Sequence, residues 1–258
     1  MDYTVASVDE AIGLLFLVAD HPGLGVTELA RRSGNTKARS FRLLTTLEQR
    51  GLVIRRGDSA TYFLSFGALR LGFAAQSQMD LIELVREPME LLLAAFNETV
   101  ILRVRDGLQS LCIARCEPSR ALRVNGEIGA RHVLHAGASS RLLLAFAPAD
   151  VQQQVLANEK AEFTSATPLN TVQLQQSLDD IRAQDYALSM GERVDDVGAV
   201  AVPLRDAVGQ VVASLSISAP AARMTPEHVQ RYLKLLRSQA MQISQQLGYR
   251  VQTLAKAG

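Results

Sequence analysis

Asn35–Leu47, NTKARSFRLLTTL, sets Lys37, Arg39 and Arg42, with the hydroxyls of Thr36 and Ser40, among the apolar Phe41, Leu43, Leu44 and Leu47. The apolar residues recur at helical spacing and form one stripe, while the basic and hydroxylated residues gather toward one end. A short helix of that kind suits the major groove of DNA. Arg39 and Arg42 have the reach and fork geometry to pair with guanine O6 and N7, and Thr36, Lys37 and Ser40 suit phosphates or thymine methyls.

Working outward, the flanking residues predict a three-helix unit followed by a hairpin. Ser7 is expected to cap a helix starting near Val8, with Glu10 completing a capping box and Ala11, Leu14, Leu15 and Val18 as its apolar stripe. His21-Pro22-Gly23 ends it. Thr27 is expected to cap a second helix carrying Leu29 and Ala30 and stopping at Ser33-Gly34. The third runs from about Thr36 to Arg50 and stops at Gly51. Val53-Ile54, Arg55-Arg56, a Gly57-Asp58-Ser59 turn and Tyr62-Phe63-Leu64 then read as two short strands. Three helices and a basic hairpin are the order of a winged helix-turn-helix, in which Arg55 and Arg56 on the wing meet phosphate or the minor groove.

Charge supports a local nucleic-acid surface and excludes a global one. The 258 residues carry 27 basic and 26 acidic side chains, a formal net charge of +1, yet from Arg31 to Arg56 eight basic residues face Glu48 alone. The opening MDYTVASVDEAIGLLFLVAD has acids where a secretory signal needs Lys or Arg, and no charge-free apolar run reaches the roughly 18 residues of a membrane helix. Cys112 and Cys116, the only cysteines, would lie about 13 Å apart on a strand, too far to bridge. A cytoplasmic protein without membrane contact is expected.

The length suits two domains. Residues 1–65 make the DNA-binding domain, 66–80 a linker helix and 81–258 a second domain. In the latter, ETVILRVRD and LQSLCIARCE pair across Asp106-Gly107, and ALRVNGEIGARHVLH adds strand and turn. GASSRLLLAFA, the stretch after Pro148-Ala149-Asp150 and TVQLQQSLDDIRAQD read as helices. YALSM, AVAVPLRD and VVASLSISA are strands, and Thr225-Pro226-Glu227 opens a last helix to about Gly248. The expected class is therefore α+β, with an antiparallel or mixed sheet covered by helices.

Gly137-Ala138-Ser139-Ser140 puts small residues at a helix N-terminus, where free N–H groups and the helix dipole favour an anion such as a carboxylate; simple capping is the plainer alternative. Ser216 and Ser218, two apart on a strand, share a face. GASSR resembles the GxSxG nucleophile elbow, but Arg141 stands in place of the closing glycine, so a serine hydrolase using Ser139 is the second reading. A module that mediates only protein contacts is the third. His132 and His135, like the two cysteines, lack the accompanying ligands of a metal motif, and no metal or cofactor is expected.

SVDEAIGLL, VTELARRSGNTKARSFRLLTTLEQRGLV, ATYFLS, LHAGASSRLLLAF, YALSMGERVDDVGAVAVPL and ASLSISAP, in that order, resemble the IclR family of bacterial transcription regulators over nearly the whole chain. The resemblance implies a winged-helix domain, a linker helix and a GAF-like domain that binds a small organic effector, in a homodimer or a dimer of dimers. It implies a roughly palindromic double-stranded operator, repression or activation as the output, and RNA polymerase as a further partner. The family's pocket falls on Ala138, Ser139, Ser189, Ala199, Ser216 and Ser218, with Ala121, Val124 and His132 expected as the opposite wall. The chain departs from the family's habit at Ser140-Arg141 (usually Gly-Lys), Asp196 (usually Gly), Ala199 (often Cys) and Ser189 (commonly acidic). The small Ala199 suggests an enlarged cavity and an aromatic or otherwise bulky carboxylate.

Overall fold

The computed structural model describes residues 3–57, 60–78 and 80–250. The chain divides into two compact units, Met1–Asp80 and Leu81–Gly258.

The first unit contains α1 (Ala6–Asp20), β1 (Leu24–Gly25), α2 (Val26–Ser33), α3 (Lys37–Gln49), β2 (Val53–Arg56), β3 (Thr61–Leu64) and α4 (Phe66–Gln78). Leu14 and Val18 of α1, Leu29 of α2, Leu44 and Leu47 of α3, Val53 and Tyr62 make one buried cluster. The strands form an antiparallel sheet in the order β1-β3-β2. Two expected caps are not caps. The α1 helix starts a residue before Ser7, with Val5 as N-cap, and α2 starts before Thr27, with Gly25 as N-cap. Glu10 closes no capping box and instead pairs with Arg39, tying α1 to α3. Thr36 is a true N-cap, its hydroxyl accepting from Arg39 N at 3.3 Å. Asp58 and Ser59 of the expected wing turn lie outside the described residues.

The second unit contains α5 (Leu81–Phe96), β4 (Thr99–Asp106), β5 (Gln109–Cys116), β6 (Arg131–Val133), α6 (Ala138–Ala145), α7 (Ala149–Ala157), α8 (Thr171–Gln184), β7 (Ala187–Met190), β8 (Val197–Arg205), β9 (Val211–Pro220) and α9 (Pro226–Gln246). Among the described residues its sheet has six strands, ordered β6-β5-β4-β9-β8-β7, with every pairing antiparallel. The fold is α+β. Alternation along the strands decides what covers each face. Val100, Leu102, Val200, Val202, Leu215 and Ile217 pack with Val85, Met89 and Leu92 of α5 and Leu233, Leu236 and Ile243 of α9. The other face meets α6, backed by α7 and α8, through Ala187 and Ala201 against Ala138, Leu142, Leu174, Leu178 and Ile181.

In the first unit, Gly51 (φ 68°) ends the α3 turn in the left-handed region, and its carbonyl accepts from Gly67 N at 2.9 Å. A Cβ on Gly67 would sit 2.3 Å from that oxygen and 2.8 Å from its carbonyl carbon, both rigid backbone atoms. Gly67→Ala is expected to destabilise this unit by about 2 kcal/mol, the scale of an overpacked core. Urea unfolding followed by hydrogen exchange of the α3 amides in the full chain would detect it, and unchanged protection there would show that the contact can relax.

Candidate functional site

The inner face of the large sheet is built from small and hydroxylated residues. Register places Ser189, Ala199, Ser218 and Thr99 in one row across β7, β8, β9 and β4, and Ala201, Ser216 and Ile101 in the next. Ser216 and Ser218 are buried and do point the same way, toward α6. Short side chains there leave a cavity of about 150 Å³ between the sheet and the start of α6.

Gly137 is the N-cap of α6 at φ 90°, a left-handed conformation that admits glycine without strain, and a Cβ there would come within 3.3 Å of Arg193 Cδ. Neither Ser139 nor Ser140 caps the helix with its hydroxyl. The cap is supplied from a distance: Gly137 N donates to Glu192 Oε2 at 2.7 Å and Ala138 N to Ser189 Oγ at 3.0 Å. The first helical bond runs from Arg141 N to Gly137 O at 3.0 Å. The N–H groups of Ser139 and Ser140 precede it and have no intrahelical acceptor.

Arg141 is a structural residue of this corner. It is buried, donates to Glu192 through Nε at 3.0 Å and Nη2 at 2.5 Å, and reaches Leu188 O at 2.6 Å and Ser177 Oγ. Glu192, which sequence reasoning did not single out, thus accepts three hydrogen bonds, two from Arg141 and one from the Gly137 amide. Ser140 Oγ lies 2.8 Å from Ser110 Oγ. Among the described residues no histidine or carboxylate is hydrogen-bonded to Ser139 Oγ, so the triad that a Ser139 hydrolase needs is not assembled.

Of the expected pocket residues, Val124, His132, Ala138, Ser139, Ser189, Ala199, Ser216 and Ser218 all line the cavity. Ala121 does not: it is exposed, in the loop after β5. Two lining arginines were missed. Arg103 is 4% exposed; its Nη1 donates to Ser110 O at 3.2 Å, Ser110 Oγ at 3.3 Å and Ala130 O at 3.3 Å. Its Nη2 lies 3.2 Å from His132 Nε2. A guanidinium cannot accept, so His132 Nε2 must, which assigns the ring proton to Nδ1. Burial first, then Arg103 and Arg193, push the His132 pKa down to about 3, so the ring is neutral at physiological pH. Arg193 stacks 4.5 Å over the Phe163 ring, and its Nη1 is buried without a hydrogen-bond partner. Strand parity would have found Arg103, two residues from Ile101 on one face; nothing local marks Arg193.

On the first unit, Thr36, Lys37, Arg39, Arg42, Arg55 and Arg56 are exposed. Ser40 is not. It is fully buried beside Leu44 and Leu47, because positions 40, 44 and 47 share one helical face, and it cannot reach a phosphate. Phe41, expected in the apolar stripe, is 46% exposed on the outer face instead. Arg39 is held by Glu10, and Arg56 lies 5.1 Å over the Phe63 ring. Lys37 and Arg42 have no acidic partner among the described residues. Among those residues, too, no cluster of three metal-ligating side chains occurs, and no helix is long and apolar enough to cross a membrane.

Comparison with known proteins agrees with both units. The IclR helix-turn-helix domain matches residues 7–57, and the bacterial transcriptional regulator IclR C-terminal domain matches residues 73–245. The HTH-type transcriptional regulator KdgR of Escherichia coli is 32% identical over 247 residues, covering 95% of this chain and 94% of KdgR. The HTH-type transcriptional repressor AllR of Klebsiella pneumoniae is 31% identical over 214 residues, covering 83% of this chain and 79% of AllR. An IclR-type regulator from Silicibacter shares the fold, with a TM-score of 0.83 at 24% identity over 95% of this chain and 97% of its own. These relatives are regulators and not enzymes, and with a matching helix-turn-helix domain, a matching C-terminal domain and a full-length relative above 30% identity, the chain belongs to the IclR family of DNA-binding transcriptional regulators.

Proposed function

We propose that this regulator responds to a small organic carboxylate bound in the cavity at the start of α6. The observation that carries the reading is the pair of N–H groups, at Ser139 and Ser140, left without a helical acceptor beside a cavity lined by Ser189, Ser216 and Ser218. Backbone donors at the positive end of a helix, with hydroxyls around them, suit a carboxylate better than a neutral or cationic group. Binding changes operator affinity only as far as the effector prefers one of two states of the protein.

On the DNA side, Arg42 is the proposed base-reading residue of α3, Lys37 a phosphate contact at the helix start, and Arg55 and Arg56 the wing contacts. Arg39 is assigned a shared role, because its guanidinium must leave Glu10 to read a base. The protein acts as a homodimer or dimer of dimers, which matches a roughly palindromic operator. Exposed apolar side chains support self-association: Val5 and Val8 are 61% and 54% exposed, Ile12 is 47% exposed, and Phe66 is 85% exposed.

Arg42→Ala is expected to weaken binding to an operator selected from genomic DNA at least about tenfold, and Lys37→Ala to lower the salt slope by about one. Fluorescence anisotropy at several salt concentrations measures both; parental affinity in Arg42→Ala would refute the placement of α3. Val8→Glu with Ile12→Glu should shift the mass seen by light scattering toward the monomer, and an unchanged mass would move the interface elsewhere. Because His132 is neutral, the affinity of a fully ionised effector should change less than about threefold between about pH 5.5 and pH 8. A larger loss at the higher pH in calorimetry would mean that a protonated imidazole takes part.

A further inference from the structure

The cavity carries more positive charge than its own residues neutralise. Arg103 and Arg193 both line it, and among the described residues neither has a carboxylate partner. Arg103 has only neutral acceptors, and Arg193 has a buried Nη1 with none. Burial pulls the pKa of both guanidiniums down, and for Arg103 the nearness of Arg193 pulls further in the same direction. The one lining acid, Glu192, is consumed by the bidentate Arg141 and by the Gly137 amide. One buried and one half-buried cation thus face the cavity with no counter-charge, an arrangement that costs stability unless something else brings the negative charge.

A monocarboxylate on the Ser139 and Ser140 amides would leave that imbalance largely in place. We propose that the effector is a short dicarboxylate, with one carboxylate at the start of α6 and the second on the guanidiniums of Arg103 and Arg193. Arginine's planar fork is suited to a second carboxylate held bidentately. Size points the same way. A cavity of about 150 Å³ is on the scale that holds a benzene-sized molecule, and a diacid of about four or five carbons is of that size. The neutral His132 adds a hydrogen-bonding wall without adding a third charge. This inference rests on the effector reading of the cavity and narrows it to a dianion.

The test is calorimetry on the full chain with succinate and glutarate, their ω-monoamides succinamate and glutaramate, and 3-phosphoglycerate, which carries a phosphate in place of the second carboxylate. One diacid is expected to bind at least about tenfold more tightly than its monoamide. In Arg193→Met that ratio should fall below about threefold, while Arg193→Lys retains part of it. Arg193 is the variant of choice because Arg103 also ties β4 to Ser110 and Ala130. The ligand-free melting temperature of Arg193→Met should equal or exceed the parent's, since an unpaired cation is removed, and a melt of that kind excludes misfolding as the cause of lost binding. A monoamide that binds as tightly as its diacid would overturn the dianion inference and leave the effector reading standing. Binding of 3-phosphoglycerate alone, with the same dependence on Arg193, would overturn the dicarboxylate in favour of a phosphorylated acid. If none of these ligands, nor any other carboxylate in a broader thermal-shift panel, stabilises the protein, the effector reading itself fails.

Discussion

The two-residue period of β9 divides the second unit. Leu215 and Ile217 point to α5 and α9, and Ser214, Ser216 and Ser218 point to α6. A slip of one residue in the pairing with β4 or β8 would drive three hydroxyls into the apolar layer and expose the cavity to leucine and isoleucine, so packing and site enforce the same register. The serines are also why a cavity exists. Larger residues at Ala199, Ser216 and Ser218 would fill the space beneath α6 as the opposite face is filled, and the sheet would have two equivalent cores.

The second constraint is the Arg141–Glu192 pair. A buried ion pair adds little stability compared with apolar packing, but removing one partner alone commonly costs about 3–5 kcal/mol, so such pairs fix geometry more than they add strength. Here the geometry fixed is the start of α6. Glu192 holds the Gly137 amide, Ser189 holds the next, and Arg141 draws Leu188 and Ser177 to the same corner. Arginine has the planar fork these contacts need; a lysine ammonium could not serve Glu192 through two nitrogens while also reaching a strand and α8. Two of the helix's free N–H groups are thereby spent on structure, and only the two that follow face the cavity unclaimed.

Most of the fold was legible because its signals are local. The α3 helix starts next to Thr36 and ends at Gly51, the β4–β5 turn falls on Gly107-Leu108, one residue beyond the expected Asp106-Gly107, and alternation marks β8 and β9. The failures share a different cause. Ser7 and Thr27 are good capping residues, yet both helices start before them, and Glu10 finds a partner on another helix. Ser40 looks like a phosphate contact by type, but the 40, 44, 47 spacing turns it inward. The residues inferred from family resemblance line the cavity except Ala121, whereas Arg103, Glu192 and Arg193 went unnoticed. Their meaning lies in which charges are paired with which, and pairing across β4, α6 and the segment after β7 is set by the folded chain.

That charge balance bears on how a ligand acts on DNA binding in the proposed reading. In the proposed reading, the ligand-free protein holds a buried Arg103 and a half-buried Arg193 on one cavity without counter-charge, so any rearrangement that rehydrates one of them is favoured until a dianion arrives. The ligand then reverses the preference because it removes the repulsion as well as adding its own contacts. A coupling of about 1–3 kcal/mol between two sites changes affinity by about 5- to 150-fold, which is the scale of ordinary allostery. One unpaired buried charge is already worth an amount of that order. Arg193 is the better placed of the two to move, since it lies on an irregular segment and is held by a ring face, whereas Arg103 sits in the middle of the sheet with three protein acceptors on one nitrogen. The moving part of the proposed switch is then the Arg193 side chain, while the neighbouring Glu192 stays anchored to the first turn of α6 and the sheet serves as the frame.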